Sequence, residues 1–292
     1  MNTGCTPTKT LVASAYAAHI VRRAAEYGVR VEGAVTVDMK AVKARKDAVV
    51  APSRNGVERS LKTLEGCTAY EGHGRFVTEK KVAVNGSELV ADHIFINVGG
   101  RAAIPPIPGL DQVPYLTNSS MMDIDFLPAH LVILGGSYIG LEFAQAYRRF
   151  GSEVTVIEVA PRLIPREDED VAQAVADFLK EEGIRLCVDS KVVGLEKQGN
   201  SIAVKVESAG TTSQVVGTHV LVAIGRRPNT DDLGLDNAGI TTDPLGYIQV
   251  DDQLRTNIPG IWAMGDCNGR GAFTHTSWYD FEMFRAPAGA LG

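Results

Sequence analysis

The run His130-Leu-Val-Ile-Leu-Gly-Gly-Ser-Tyr-Ile-Gly-Leu-Glu142 joins an apolar segment to a glycine-rich turn and then to a helical pattern. A dinucleotide-binding turn needs glycine where the strand turns and a small residue where backbone meets pyrophosphate. It needs a second glycine where the helix packs on the strand. Gly135, Ser137 and Gly140 fall at those three places, with Gly136 between the first two and Tyr138 directly after. Ser137 stands where a glycine is usual; its hydroxyl can bond a phosphate oxygen, while its Cβ tightens the approach. The helix opening near Ser137 offers N–H groups and the positive end of its dipole to phosphates. Glu158 closes the next apolar segment, 18 residues past Gly140. A carboxylate there accepts hydrogen bonds from both ribose hydroxyls and repels a 2′-phosphate, which favours NAD over NADP. Arg162, close by in sequence, works against that preference. A glycine turn alone would equally serve a plain α/β domain. Strand, helix, second strand and terminal acid together point to a nucleotide.

The other reactive side chains are scattered. Cys5, Cys67, Cys187 and Cys267 contain no close pair, which suits neither a zinc site nor a disulfide-rich secreted scaffold, and no metal site is expected. Cys5 lies just ahead of Pro7 and the first helix, whose positive end attracts a thiolate. Lone cysteines are nonetheless more often inert than nucleophilic. Lys plus Arg total 29 against 35 Asp plus Glu, a net charge of −6. With no basic run, nothing favours nucleic acid or an anionic membrane as a partner. No apolar stretch approaches the roughly 18 residues of a membrane span, and the opening residues lack the pattern of a signal peptide, so a cytoplasmic protein is expected.

The elements that must position these residues can be outlined. Residues 6–27 predict a helix stopped by Gly28, and 38–64 a longer helix with Pro52 as a kink or interruption. Strand-like pieces follow at 81–84 and 93–98. Residues 102–114 carry four prolines and read as a linker. Beyond it, strand 131–134, helix 137–150, strand 153–157 and helix 167–182 predict a parallel sheet with right-handed crossovers. Residues 184–222 predict an antiparallel meander, with 220–224 returning to the parallel sheet. At 292 residues the chain is long enough for about two domains.

Four further segments complete a pattern: Asn2-Thr-Gly-Cys-Thr-Pro-Thr-Lys9, Ile96-Asn-Val-Gly-Gly-Arg101 leading to Pro105-Pro-Ile-Pro-Gly109, Ala223-Ile-Gly-Arg-Arg-Pro-Asn229, and Thr256-Asn-Ile-Pro-Gly-Ile-Trp-Ala-Met-Gly-Asp266. In order and spacing they resemble the FAD-dependent pyridine nucleotide–disulfide oxidoreductases, from Met1 to about Asp280. That family includes dihydrolipoyl dehydrogenase, glutathione reductase and mercuric reductase, and the wording around Cys5 is most similar to a mercuric-reductase-like branch. The resemblance implies an α/β fold with two Rossmann-like domains binding FAD and NAD(P) and the start of a third domain. The expected division is 1–105 for part of the FAD domain, 106–235 for the NAD(P) domain and 236–292 for the remainder. It implies FAD and NAD or NADP as cofactors, contacted by Gly135, Gly136, Ser137, Tyr138, Gly140, Glu158, Gly225, Gly99, Gly265 and Asp266. Asp266 is expected to reach a flavin ribityl hydroxyl, although a turn aspartate needs no ligand. Tyr138 resembles the tyrosine that covers the nicotinamide pocket; without that likeness it reads as a packing aromatic.

The resemblance also implies that electrons pass from NAD(P)H through FAD to a cysteine pair, and on to a disulfide or a thiol-bound metal ion. Cys5, Lys9 and Glu142 are the expected catalytic residues, Cys5 as the flavin-proximal half of a Cys-x4-Cys pair and Lys9 paired with Glu142. The other cysteine would lie immediately upstream of Met1, and the first FAD strand with its glycine turn earlier still. The dimerisation domain with its His–Glu pair would follow the end, and the likeness fades after Asp280. The expectation is therefore a middle portion of a longer, homodimeric enzyme acting on a small-molecule or disulfide substrate. Such a portion alone should bind NADH weakly and FAD poorly and turn over no disulfide. An inactive dinucleotide-binding remnant and a single-cysteine flavoprotein using a sulfenic acid are the other readings.

Overall fold

The computed structural model describes residues 3–288, and of residues 284–288 only the backbone. Met1, Asn2 and residues 289–292, which include one end of the resemblance and most of the unmatched tail, lie outside the described residues. In chain order, α1 (Cys5–Arg22) and α2 (Met39–Thr63) precede five short strands: β1 (Arg75–Thr78), β2 (Lys81–Val84), β3 (Ser87–Val90), β4 (Ile94–Ile96) and β5 (Gly100–Ala102). Then come β6 (His130–Leu134), α3 (Tyr138–Phe150), β7 (Glu153–Ile157), α4 (Glu169–Glu181) and β8 (Arg185–Cys187). The chain continues through β9 (Lys191–Gln198), β10 (Ser201–Ser208), β11 (Thr211–Gly217) and β12 (His219–Val222), and ends with β13 (Arg226–Pro228), β14 (Ile261–Ala263) and α5 (Thr274–Ala288).

Contacts gather these elements into two compact units, each interrupted in sequence. The first joins residues up to Arg59 with Ala102–Gly225, and the second joins Ser60–Arg101 with residues from Arg226 onward. This grouping differs from the consecutive segments 1–105, 106–235 and 236–292. Its physical cause is long-range pairing: β14 lies parallel to β4, matching Ile94 with Ile261 and Ile96 with Ala263. Arg101 adds a two-pronged ion pair with Asp231, its terminal nitrogen 2.8 and 2.6 Å from the two carboxylate oxygens. The later segment thus folds onto residues 60–101.

In the first unit, β12, β6, β7 and β8 form a four-stranded sheet in that order, and every pairing is parallel. Leu131, Val132, Ile133 and Leu134 are each at most 1% exposed, the continuous burial expected of a strand covered on both faces. Alternation sorts them. Leu131 and Ile133 join Phe143, Ala144 and Tyr147 of α3, while Val132 and Leu134 join Ile202, Val204 and Val215 of the β9–β11 meander. Each such side chain contributes roughly 1.5–3 kcal/mol on burial. That packing fixes the end of β6, from which the glycine turn departs.

Helix α1 runs beside α3 in the same sense. Lys9 near its start meets Glu142, and Arg22 near its end donates to the terminal carbonyls of Arg149 and Phe150. The helix stops at Arg22, and a short 3₁₀ turn fills the interval to Gly28. Pro52 interrupts nothing: α2 continues through it for 25 residues. In the second unit Phe76, Ile96, Leu233, Ile240, Ile248 and Ile261 form a separate core.

Candidate functional site

At the glycine turn, backbone approaches backbone closely enough to dictate residue type. Gly135 has φ +109°, and a Cβ there would lie 2.4 Å from the Ala223 carbonyl oxygen. A Cβ on Gly140 would lie 2.2 Å from the Gly135 oxygen. Neither neighbour is a side chain that could rotate away, so both positions demand glycine. Gly136 faces Leu163, whose Cδ2 would sit 2.6 Å from an added Cβ. Ser137 is the extended N-cap residue of α3 and makes no capping bond with its side chain. The opening N–H groups of a 13-residue helix thus follow directly on two glycines that bring no side chain of their own, an arrangement suited to a phosphate. These residues fit a pyridine nucleotide.

Glu158 leaves β7 with its carboxylate directed back at the turn. Oε2 accepts the Gly136 N–H at 2.6 Å and Oε1 accepts the Ala160 N–H at 2.8 Å, in a residue only 9% exposed. Each carboxylate oxygen retains a further lone pair, so this bonding is compatible with ribose hydroxyls. Gly136 is held on its other side too, its carbonyl accepting the Ile164 N–H at 3.0 Å. Arg162 spends its guanidinium on the carbonyls of Pro165 and Glu167. Tyr138, at the first position of α3, donates its hydroxyl to Glu167. That bond, with partial desolvation, pushes the Tyr138 phenol above its ordinary pKa.

Also in the first unit, Cys5 is the first residue of α1 and is exposed. Lys9, one turn on, forms an ion pair with Glu142 of α3. The lysine side chain is 67% exposed, so the pair sets an orientation and adds little stability. Gly225 has φ +144° and lends its carbonyl to the Ala103 N–H at 3.0 Å.

The second unit holds the remaining expected residues. Gly99 has φ +68° and accepts the Asn229 N–H. Gly265 has φ +69°, opens a 3₁₀ turn after β14, and donates its N–H to the buried Asp280 carboxylate at 2.8 Å. Asp280 also accepts from Asn268. Asp266 follows, its Oδ2 bonded at 2.9 Å to Arg226, which in turn donates to the Gly100 carbonyl. An aspartate fixed this way and still partly exposed fits a hydroxyl-bearing ligand such as a ribityl chain.

Comparison with known proteins decides the family. The sequence profile described as pyridine nucleotide-disulphide oxidoreductase matches residues 1–280. The chain belongs to the pyridine nucleotide–disulfide oxidoreductase family. It is 33% identical over 284 residues to dihydrolipoyl dehydrogenase of Acholeplasma laidlawii, covering 96% of this chain and 82% of that protein. It is 32% identical over 280 residues to mercuric reductase of Bacillus cereus, covering 96% of this chain and 44% of that one. A solved structure of the HOCl-induced flavoprotein disulfide reductase RclA from Escherichia coli matches with a TM-score of 0.87 at 33% identity. That match covers 100% of this chain and 62% of RclA. The chain therefore spans less than two thirds of RclA and under half of that mercuric reductase. Members of the family depend on FAD and take electrons from NAD(P)H.

Within this oxidoreductase family frame, three residues emerge that sequence reasoning did not single out. Arg226 lies inside a quoted motif, and its argument for notice was the doubled arginine after a glycine. Asp280 gave a fainter signal, an acid inside an aromatic-rich helix. Glu167 sits in the charged run Arg166-Glu-Asp-Glu-Asp170, where nothing distinguishes it from a helix-opening acid. Among the described residues no helix is long and apolar enough to cross a membrane, and no group of three His, Cys, Asp or Glu could hold a metal ion.

Proposed function

We propose that this chain carries the coenzyme-handling part of an oxidoreductase that passes electrons from NAD(P)H through FAD to a redox-active cysteine pair. From there they go to a disulfide or a thiol-bound metal ion. The observation that carries the reading is the glycine turn from Gly135 to Gly140, where two added Cβ atoms would strike backbone oxygens at the mouth of a helix. When bound, NAD(P)H supplies the hydride and FAD relays electrons toward sulfur. The chain's own residues bind and orient. The N-terminus of α3 takes the pyrophosphate, Glu158 the adenosine ribose, and Asp266 the ribityl chain.

In functional terms we assign 106–235 to NAD(P) and both 1–105 and 236–292 to FAD and the central region. NAD is preferred over NADP. Support comes from the Glu158 carboxylate at the end of β7, and from Arg162, whose guanidinium is committed to its own loop. Cys5 is the thiol facing the flavin, and Lys9, held by Glu142, is the cation beside it. The names of the relatives, dihydrolipoyl dehydrogenase and mercuric reductase, support the two substrate classes. The whole enzyme is a cytoplasmic homodimer.

Calorimetric titration of the chain tests this. One molecule of NADH should bind saturably, and NADPH about tenfold or more weaker, a gap of ~1.4 kcal/mol. Equal affinities would remove the NAD preference, and binding of neither would overturn the nucleotide reading.

A further inference from the structure

We propose that Glu182 is a positioning residue for α1, the helix that carries Cys5 and Lys9, and that it acts by holding the Arg149 guanidinium against the Tyr16 ring. The inference rests on the reading of Cys5 as a thiol of the redox pair and assigns what keeps that thiol in place.

Helix α1 is held differently along its length. Its buried residues are Pro7, Thr10, Leu11 and Ala15, all in the first part of the helix. Apart from Leu11 these are small, so they make a smooth contact that does little to stop the helix turning or sliding. Tyr16 to Arg22 are exposed or half-buried, so apolar burial does not fix the second part. One residue of α3 holds it twice. The Arg149 guanidinium carbon lies 5.8 Å from the centre of the Tyr16 ring, a cation–π contact. The Arg149 carbonyl accepts from Arg22, whose other terminal nitrogen donates to the Phe150 carbonyl at 3.2 Å.

The Arg149 side chain is only 14% exposed, and a guanidinium so placed must be paired and hydrogen-bonded. Glu182 gives it both oxygens. Nε donates to Oε2 at 2.8 Å and Nη2 to Oε1 at 2.6 Å, a two-pronged geometry that fixes the plane of the guanidinium. The acid is itself held. It follows directly on α4, its Oε1 also accepts the Gln145 amide at 2.9 Å, and its backbone carbonyl accepts Arg148 Nε at 2.7 Å. Glu182 thus aims Arg149, and Arg149 aims α1. A helix is stiff, so a hold at Tyr16 restrains Cys5, eleven residues or about 16 Å away along the axis. At the Cys5 end the Lys9–Glu142 pair is exposed and weak.

The test places two nitroxide labels on the 292-residue chain, one on Cys5 and one at Glu153→Cys, with Cys67→Ser and Cys187→Ser, and reads the distance between them. Hydrogen exchange at 16–22 and at 169–187 is followed in parallel. Glu182→Ala should broaden the distance distribution and speed exchange at 16–22 about tenfold, the factor of one charge-assisted hydrogen bond. Tyr16→Leu changes only an exposed ring and leaves the core intact. It should broaden the same distribution and speed exchange at 16–22 about two- to fivefold, with 169–187 unchanged. Glu182→Gln, which keeps an acceptor for one prong, should fall between wild type and Glu182→Ala. Adding Tyr16→Leu to Glu182→Ala should change nothing more. An unchanged distribution in either single variant, or additive effects in the pair, would overturn the proposal. So would faster exchange confined to 169–187, which would make Glu182 a brace between α3 and α4 alone. If Glu182→Ala fails to fold, Tyr16→Leu and Glu182→Gln decide. None of these readouts depends on the chemistry of Cys5. If Cys5→Ser left electron transfer by the whole enzyme intact, the redox reading would fail and the hold on α1 would remain.

Discussion

Two turns in this molecule share one plan: an apolar parallel strand, a left-handed glycine, a helical turn and an acid. After β6, Gly135 leads into α3, a helix of 13 residues; after β14, Gly265 leads into a 3₁₀ turn of 4. The first is specified by backbone meeting backbone, with carbonyl oxygens 2.4 and 2.2 Å from where Cβ atoms would stand. The second is specified by side chains. Asn97 and Ser277 each come within 2.9 Å of a Gly265 Cβ, Asp280 holds its N–H, and Arg226 holds Asp266. The first turn therefore has its shape before any ligand arrives. The second is assembled from polar contacts that can be removed one at a time.

Substitutions can break this contrast. The largest effect should come from Gly140→Ala in the first turn. The intruding methyl has only the Gly135 carbonyl and Ile133 to displace, so about 3 kcal/mol of stability should be lost in denaturant unfolding. A loss below that of the second-turn variants would end the distinction. Asp280→Ala should cost about 2 kcal/mol, because it strands the buried Gly265 N–H and the Asn268 amide. Gly265→Ala should follow at about 1–2 kcal/mol: φ +69° is strained for alanine, but Asn97 and Ser277 can rotate. The smallest effect belongs to Lys9 and Glu142. A double-mutant cycle should return a coupling of at most ~0.5 kcal/mol, because the lysine is largely exposed. A coupling several times larger would mean that the pair carries structure as well as orientation.

Tyr147 offers a check from the core that links α3 to the sheet. Its hydroxyl is buried and has no hydrogen-bond partner among the described residues, and burial pushes the phenol pKa well above its ordinary value. Tyr147→Phe should leave stability unchanged or raise it by up to about 1 kcal/mol in thermal unfolding. A loss would point to an ordered water at that hydroxyl.

The first turn was largely legible in the sequence because its requirements are local. Strand, Gly135, Gly140, helix and Glu158 fall within thirty residues, and β7 spans the expected 153–157. The parallel sheet and the meander could be read from the same alternation of patterns. The second turn was legible only as a motif. Its anchor Asp280 stands 15 residues away in α5, and its partner Arg226 stands 40 residues before it, so no periodicity connects them. For the same reason the joining of 60–101 with the residues after 226 was legible only through the family resemblance, which assigned 236–292 to the remainder of the domain begun by 1–105. Pairing of β4 with β14 spans more than 160 residues, and strand pairing carries no sequence signature at that range. Glu158 lies between these cases. Its position at a strand end is local, whereas its grip on the Gly136 N–H exists only once the turn has formed.

The central claim is that the turn at Gly135–Gly140 receives a pyridine nucleotide through its backbone. Hydrogen exchange of the 292-residue chain, followed with and without saturating NADH, addresses it most directly. Added NADH should slow exchange at residues 135–142 and in the connection 158–167, and leave the Gly265–Asn268 turn unchanged. Protection confined to other segments, or none at saturating NADH, would contradict the claim.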